Sequence, residues 1–347
     1  MHNLIKDLIL PKFNNPLLNK LTDSAVIASD GKSRTCRQGR DKSTPRTQRL
    51  NKGLAFTTDS FVVHPLFFRG GDIGKLAVSG TINDLVVSGA LPLYLSLALI
   101  IEEGLDCSLL ERVLNSISIA SRNSQVKIIT GDIKVVQKGA CDKLFINTAG
   151  IGRAIRDLKI KNIKIGDKII ITGRIAEHGL SILSQRKGME LGLNIKSDCA
   201  SLNHLLIPLL KDKGINRAPA HRGKIKFMRD PTRGGLATTL NEIARAANLG
   251  IIIEESRIPI AERVKAASEL LGIDPLYIAN EGKAILVVKS DSAEKVLRYL
   301  NQHPQGKFAR IIGKIVPEHR GMVILKTTVG TNRILDVLTS EPLPRIC

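Results

Sequence analysis

Two periods of apolar residues divide the first half of the chain into predicted strands and helices. Residues 54–65 are rich in Thr, Phe and Val and end at Pro65, which is typical of a strand. Apolar residues then recur at the three- and four-residue spacing of a helix within 72–90 and within 108–122. Further elements are predicted as follows: strands at 93–101, at 126–132 ending on Asp132, and at 143–152, and a short helix with a turn within 4–21.

The second half continues the same mixture. Helices are predicted at 177–187, 234–248, 261–272 and 292–302, and strands at 168–173, 251–255 and 284–290. Strands and helices interleave without a strand–helix–strand repeat of fixed length, which favours mixed α+β (α/β) architecture. A length of 347 residues indicates about two domains.

A basic stretch at 154–166 is the predicted link between the domains. We therefore expect an N-terminal domain with a mixed sheet at 1–153 and a C-terminal, α/β sandwich-like domain at 154–335. A flexible tail is expected at 336–347. Pro342 and Pro344 in the tail disfavour a helix and favour an extended arm that ends on Cys347.

The charge of the chain raises a nucleic-acid hypothesis that the composition then weakens. Lys and Arg outnumber Asp and Glu by 52 to 32, which gives a net charge of +20. Aromatic residues are only 3% and Trp is absent, so stacking platforms for bases are scarce. Much of the excess lies at 31–52, a polar stretch without apolar periodicity that we interpret as a solvated loop. A nucleic-acid partner is therefore not expected.

Cysteine spacing and apolar runs indicate a cytoplasmic protein. The five cysteines form no CxxC pair, which argues against a zinc site and a disulfide framework. The longest apolar runs, such as Leu97 to Ile101, fall far short of the ~20 residues that span a bilayer. The first residues carry Asp7 inside their apolar run and do not read as a signal peptide. No membrane association is expected.

Three acids stand where apolar residues would be expected. Asp59 lies inside a predicted strand, Asp84 lies in a mostly apolar stretch, and Asp132 follows a strand. A carboxylate among buried neighbours is costly unless it is paired or binds a metal. Mg²⁺ is commonly held by one or two carboxylates together with substrate phosphates. The alternative is that each acid caps a helix or a turn.

Two glycine-containing turns complete the candidate chemistry. The sequence RDPTRGGL at 229–236 places a double glycine between arginines and a predicted helix, which favours an anion site at the helix start. A plain capped helix start is the competing interpretation. The sequence ANEGK at 279–283 places Glu281 in a turn, where a carboxylate on its own is expected to be solvated.

Taken together, these stretches resemble the HypE family of hydrogenase maturation factors. The resemblance rests on TTDSFVVHPLFFRGGDIGKLAVSGTINDLVVSGA, TGDIKVV, DKLFINTAGIG, RDPTRGGL, LYIANEGK and the terminal PRIC, in the family's order, over the chain apart from the basic stretch at 31–52. That stretch resembles an insertion. The family's usual glycine-rich opening segment is not among these residues. The family consists of carbamoyl dehydratases of the PurM-like (aminoimidazole ribonucleotide synthetase-like) superfamily, whose architecture has two domains.

The resemblance implies a reaction on the last residue. A HypF-like carbamoyltransferase would place a carbamoyl group on the sulfur of Cys347. ATP would then phosphorylate the carbamoyl oxygen, and loss of the nitrogen protons and of phosphate would leave a thiocyanate. Its cyanide would pass to iron on a HypC–HypD-like scaffold for a NiFe hydrogenase. The implied cofactors are ATP and Mg²⁺, and the implied assembly is a homodimer that pairs through the N-terminal, ATP-binding domain.

The resemblance also implies roles for individual residues. Cys347 would carry the substrate, and Lys134 and Glu281 would handle the carbamoyl nitrogen protons. The implied magnesium and nucleotide acids are Asp59, Asp84 and Asp132. Other implied nucleotide-site residues are Lys75, Asp230, Arg233, Gly234, Gly235 and Asn280.

Two other functions stay open at this point. The chain could be another PurM-like enzyme that phosphorylates a small molecule in solution, in which case removal of Cys347 would leave its activity intact. It could also be a non-catalytic basic binding module, whose affinity for nucleic acid would fall steeply with salt.

Overall fold

The protein is described by a computed structural model that covers residues 53–186, 194–216, 223–338 and 345–347, together with the backbone of a strand at 25–27. The predicted helix within 4–21, the basic stretch at 31–52 and the prolines at 342 and 344 lie outside the described residues. No helix in the described ranges has the length and apolar character needed to cross a membrane.

The first half folds as a sheet covered by two helices. Its elements are β1 Ala25–Ile27, β2 Leu54–Phe61, β3 Phe67–Phe68, β4 Gly71–Asp72, α1 Ile73–Val87, β5 Ala90–Glu102, α2 Cys107–Ser124, β6 Lys127–Val136 and β7 Leu144–Ala154. Five strands form the sheet in the order β1-β2-β7-β5-β6, and β3 pairs with β4 in a separate ribbon. Only the β5–β6 pair of this sheet is parallel.

Helix α1 is the central element of this half. Asp72 caps it by accepting hydrogen bonds from the amides of Gly74 and Lys75. Nearly all of its residues are buried, including the polar Ser79, Thr81 and Asn83, because it packs against other elements on several sides. It contacts α2, three strands of the sheet and a helix of the second half. Residues on α1 therefore reach the junction between the halves.

The second half contains a larger sheet. Its elements are β8 Lys168–Ile171, α3 Glu177–Leu183, α4 Asn203–Lys211, α5 Lys213–Asn216, β9 Ile225–Arg229, α6 Gly235–Ala247, β10 Gly250–Glu254, α7 Glu262–Leu271, β11 Ile285–Val288, α8 Ala293–Asn301, β12 Arg310–Val316, β13 Val323–Lys326 and β14 Asn332–Leu335. The seven strands are ordered β14-β13-β10-β12-β8-β11-β9, and only β10 and β13 run parallel. One apolar core runs through both halves.

Most of the predicted helices and strands are confirmed, with differences in extent. Strand β6 does not end at Asp132 but continues to Val136, because it pairs with β5 over its whole length. Asp132 therefore lies within a strand and not after one. Helix α4 and strands β9 and β12–β14 were not predicted, because short apolar runs do not distinguish a strand from a buried helix segment.

Candidate functional site

A small cavity of ≈ 230 Å³ lies where both halves of the chain meet its last residue. We call it the acidic cavity. It is lined by Asp59, Gly80, Asp84, Asp230, Thr232, Arg233, Glu281 and Cys347. Four carboxyl groups therefore face one guanidinium and one thiol, and such a concentration of like charges favours either a bound cation or proton retention.

Asp59 and Asp84 are brought together by β2 and α1. The hydroxyl of Thr57 donates a hydrogen bond to Asp84, with an O···O distance of 2.7 Å, and so orients that carboxylate. Burial raises the pKa of Asp59, while the amide of Ser60 and the charge of Arg233 act in the opposite direction. Two of the three predicted magnesium acids thus line one cavity.

Glu281 is deeply buried, so the expectation of a solvated turn carboxylate is wrong. Its exposed fraction is 3%, and burial raises its pKa well above the ordinary value, with the charges of Asp59, Asp230 and Asp198 adding to the effect. The turn is pressed into the protein because Gly282 passes the carbonyl of Asp198 at a separation that leaves no space for a Cβ. The sequence pattern alone does not reveal this packing.

The support behind Glu281 comes from residues that the sequence analysis missed. Asp198 accepts hydrogen bonds from the amides of Glu281 and Gly282 at 3.3 Å each and pairs with Lys283 at 3.1 Å. Asn83, adjacent to Asp84, donates to the carbonyl of Glu281 at 3.2 Å. Asn83 stands beside Asp84 in the TIND stretch, which was a usable signal, whereas Asp198 lies in a segment without regular structure or pattern.

The double glycine opens α6 beside the cavity. Gly234 and Gly235 have φ of +69° and +62°, and the amide of Gly235 donates a hydrogen bond to the carbonyl of Thr232 at 3.0 Å. A Cβ on Gly235 would lie 2.6 Å from the carbonyl oxygen of Ile278, so glycine is required there. Asp230 and Arg233 from this turn line the cavity. A plain capped helix start remains the competing interpretation.

Asn280 holds this turn in place instead of facing the cavity. Its side chain is fully buried and accepts from the amide of Ala176 at 2.7 Å. Its amide nitrogen donates to the carbonyls of Pro231 and Ile278, each at 3.0 Å. These bonds connect the Asp230 turn, the Glu281 turn and the start of α3.

Lys75 lines a different, larger cavity of ≈ 850 Å³ between α1, α2 and the second half. Its ammonium donates to the carbonyl of Gly70 at 2.8 Å. Arg112, His204 and His303 also line this cavity. The structure therefore does not bring Lys75 together with the acids of the acidic cavity.

Asp132 and Lys134 lie on the opposite face of the first sheet from Asp59. Strand register aligns Asp59 with Thr148, Leu97 and Gly131 on the face towards α1, and aligns Asp132 with Ala98, Asn147 and Ser60 on the outer face. Lys134 lies 3.9 Å from Asp132, and both side chains are largely exposed. Across the described ranges no three His, Cys, Asp or Glu side chains are grouped to hold a metal ion.

The last three residues are docked against the protein. The amides of Val62 and His64 donate to the carbonyls of Cys347 and Arg345, each at 3.2 Å. The side chain of Ile346 is buried in the core. Cys347 is thereby placed in the wall of the acidic cavity.

Comparisons with known proteins match both halves. A model of the N-terminal domain of AIR synthase related proteins matches residues 39–154, a range that begins inside the basic stretch, and the C-terminal domain model matches 164–326. The expected two-domain PurM-like architecture is confirmed.

Relatives in bacteria and solved structures agree with this result. The chain is 47% identical to the carbamoyl dehydratase HypE of Rhizobium leguminosarum bv. viciae, over 85% of this chain and 82% of that protein. It is 41% identical to HypE of Escherichia coli K12, over 100% and 96%. A crystal structure of a HypE–HypF complex matches with a TM-score of 0.83 and 40% identity, over 96% and 99%. HypE in complex with ATP matches with a TM-score of 0.79 and 43% identity, over 100% and 96%.

Proposed function

This chain belongs to the HypE family of carbamoyl dehydratases, and on that premise we propose that it converts an S-carbamoyl group on Cys347 into a thiocyanate at the expense of ATP. The product supplies the cyanide ligand for the iron of a NiFe hydrogenase. The single observation that carries the assignment of the substrate is that Cys347 lines the acidic cavity together with Asp59, Asp84 and Glu281.

The reaction needs ATP because a carboxamide oxygen is a poor leaving group. Transfer of the γ-phosphoryl group to the carbamoyl oxygen, with loss of one N–H proton, gives an O-phosphorylated thioimidate, in which the carbon is double-bonded to nitrogen and still bonded to sulfur. Loss of the second N–H proton and departure of phosphate then form the C≡N bond. The products are the thiocyanate, ADP and inorganic phosphate. The phosphorylated intermediate must be kept from water, and the cavity, which holds the buried Glu281 and the docked tail, limits the access of water to it.

Glu281 is the proposed acceptor of a nitrogen proton. Burial raises the pKa of Glu281, so much of it keeps its proton, and the ionised fraction that accepts the nitrogen proton is a stronger base than a solvated carboxylate. The position of Glu281 is fixed by the contacts that Asp198, Asn83 and Lys283 make at its turn. The start of α6, with Arg233 and the amides of the first helical turn, is the proposed site for phosphate charge, and Asn280 orients the turn that precedes it.

The carboxylates of Asp59 and Asp84 have the chemistry that Mg²⁺ prefers. Mg²⁺ takes hard oxygen ligands and is commonly bound by one or two carboxylates plus substrate phosphates, so two acids in one cavity fit it. When bound, it would neutralise phosphate charge. The HypE structure solved with ATP supports ATP as the phosphoryl donor.

The third acid, Asp132, and the catalytic Lys134 are proposed to act in the active site of a second copy of the chain. They lie on the outer face of the first sheet, on which Phe56, Ile151 and Tyr94 form an aligned row with exposed fractions of 45%, 38% and 42%. An apolar patch of this kind favours an interface. A homodimer through this face would give the N-terminal domain its expected pairing role and would bring Lys134 of one copy towards the other.

Lys75 remains a predicted nucleotide contact. Because it faces the larger cavity while Asp84 faces the acidic one, we expect Lys75→Ala to raise the Michaelis constant for ATP less than Asp84→Asn does. Steady-state ATP hydrolysis by the two variants compares them.

The proposed partners follow from the reaction. The solved HypE–HypF complex supports a HypF-like carbamoyltransferase as the enzyme that loads Cys347. A HypC–HypD-like iron scaffold is the proposed acceptor of the cyanide, and the proposed compartment is the cytoplasm.

Intact mass spectrometry tests the function directly. The chain is incubated with a HypF-like carbamoyltransferase, carbamoyl phosphate and ATP, with and without nucleotide in the final step. We expect a mass gain of one carbamoyl group on Cys347 and then, only with ATP, a loss of one water. A chain that phosphorylates a small molecule instead would keep its ATP turnover after Cys347→Ser, and that result would overturn the proposal.

A further inference from the structure

We propose that Asp142 and His178 are positioning residues for the dehydration, which hold the docked tail at two points and so fix Cys347 in the acidic cavity. Asp142 does so by pairing with Arg345, and His178 by donating a hydrogen bond to the carbonyl of Ile346. The inference rests on the proposed function, since it concerns the delivery of the same cysteine.

Arg345 is the outer attachment of the tail. Its guanidinium donates to Asp142 at 2.7 Å and to the carbonyl of Val62 at 3.0 Å. Its own carbonyl accepts from the amide of His64 and from the guanidinium of Arg186. Arg345 also has a φ of +55°, a conformation that costs a residue other than glycine free energy. Its side-chain and main-chain contacts offset that cost only while the tail is docked.

Asp142 is positioned to form an ion pair with Arg345. It lies on the loop between β6 and β7 and contacts both Arg345 and His64, the latter at 3.2 Å. The hydrogen bond from Arg345, together with the nearby positive charges, holds the pKa of Asp142 below its usual range, so the carboxylate is ionised at neutral pH. Both members of the Asp142–Arg345 pair are 37% exposed. A half-exposed ion pair can open without leaving a buried charge behind.

His178 is the inner attachment, and it is buried, whereas the Asp142–Arg345 pair is half-exposed. The ring is fully buried on α3, and Nε2 lies 2.9 Å from the carbonyl oxygen of Ile346. A carbonyl only accepts, so Nε2 carries the proton. Nδ1 then accepts from the hydroxyl of Ser197 at 2.8 Å, and that hydroxyl accepts from the amide of Cys199. The chain of hydrogen bonds fixes the tautomer, the ring and the peptide directly before Cys347.

The two attachments have different consequences for the reaction sequence. Loading by another enzyme needs Cys347 accessible, whereas dehydration needs it in the cavity. Weakening either attachment therefore raises the accessibility of the sulfur and lowers the rate of dehydration. General damage to the fold would instead impair loading and dehydration alike.

The first experiment measures tail docking without any partner or ATP. Iodoacetamide alkylation of the full chain is followed at Cys347 by peptide mass spectrometry, with the exposed Cys107 as an internal reference for the reagent. We expect Asp142→Asn to raise the alkylation rate of Cys347 roughly threefold to fivefold and Asp142→Glu to restore protection. Asp157→Asn is the matched control, because Asp157 is equally exposed and pairs with Lys159 away from the tail. An unchanged Cys347 rate in Asp142→Asn overturns the proposal.

The second experiment uses single turnovers after loading. We expect Asp142→Asn to dehydrate the loaded cysteine roughly fivefold more slowly while its loading rate is not reduced.

At His178, the Leu variant has no hydrogen-bond donor, and its dehydration rate should fall roughly tenfold. The Gln variant keeps a donor, so its rate should fall less. Circular dichroism melts confirm that each variant folds, and Ser197→Ala gives a milder probe of the same ring. Equal loss of loading and dehydration in folded variants also overturns the proposal. Because the alkylation readout needs no carbamoyl chemistry, it decides the inference even if the proposed function fails.

Discussion

The acidic cavity and the outer face of the first sheet both carry acids that the sequence analysis predicted to be functional, but the two regions differ in how these acids are assembled and in how exposed they are. In the cavity, Asp59, Asp84 and Glu281 come from different elements, and burial raises the pKa of two of them. On the outer face, Asp132 and Lys134 are neighbours on one edge strand and are largely exposed.

The difference indicates which parts of the active site one chain builds alone. Long-range packing assembles the cavity within a single chain. The free-energy cost of bringing several carboxyl groups together there is offset by the stability of the surrounding fold. Exposed residues on an edge strand bear no such cost until a second surface covers them. The predictions below test whether the cavity and the outer face are two halves of one site.

The largest expected effect is the loss of the cysteine in the cavity. Cys347→Ser should abolish thiocyanate formation, by at least ~1,000-fold, because a hydroxyl is rarely ionised near neutral pH and does not accept a carbamoyl group as a thiolate does. Intact mass after loading and ATP addition measures it. Cys107→Ser, at an exposed position on α2, is the control and should behave as the unchanged chain. If the Ser variant formed thiocyanate, Cys347 would not be the residue that carries the substrate.

The second effect concerns Asp84, one of the two acids proposed to bind Mg²⁺ in the cavity. Asp84→Asn should lower ATP turnover by ~100-fold, since a neutral amide is a poorer ligand for Mg²⁺. The fold should persist because the amide oxygen can still accept from Thr57. ATP hydrolysis across a magnesium titration is the measurement. Turnover that matches the unchanged chain even at limiting magnesium would rule out the metal role.

The third effect decides whether the outer face belongs to the same site. Asp132→Asn alone should lower turnover by roughly tenfold, a smaller loss than the ~100-fold expected for Asp84→Asn. Mixed dimers of these two variants hold one site with both acids intact, so random mixing should restore about a quarter of full activity. Activity after co-refolding, compared with each variant alone, measures it. The absence of any recovery would show that Asp132 serves its own chain or none.

The sequence predicted the elements better than their assembly. Helix α1 was predictable because its apolar spacing extends over fifteen residues. Asp59 and Asp84 were identifiable because each interrupts an apolar stretch. The burial of Glu281 was not, since it depends on Asp198, which is distant in sequence and lies in a segment without periodicity.

Strand register explains why the third acid was misplaced. A one-residue difference in alternation moves a side chain to the other face of a sheet, and no local pattern reveals which face an edge strand presents. Asp132 was expected after the strand and lies within it, on the face opposite Asp59. The docking of Arg345 on Asp142 was likewise hidden, because the two residues are brought together only by the complete fold.

The smallest expected effect, a few degrees of melting temperature, tests the electrostatic cost of the cavity. The folded chain keeps the proton of Glu281 at pH values where the unfolded chain, with its ordinary pKa of 4.5, has lost it. The folded state then binds more protons, so the free energy of unfolding falls as pH rises from that value through the raised pKa.

Glu281→Gln removes this dependence. Its stability relative to the unchanged chain should rise as pH increases above 4.5, and the two chains should be equally stable near pH 4, where the carboxyl is protonated in both states. Thermal unfolding of both chains at the two pH values measures it, with the exposed Glu318→Gln as the control. If the stability advantage of the Gln variant did not grow with pH, Glu281 would be ionised in the folded chain. The acids of the cavity would then not differ in protonation from the exposed acids of the outer face.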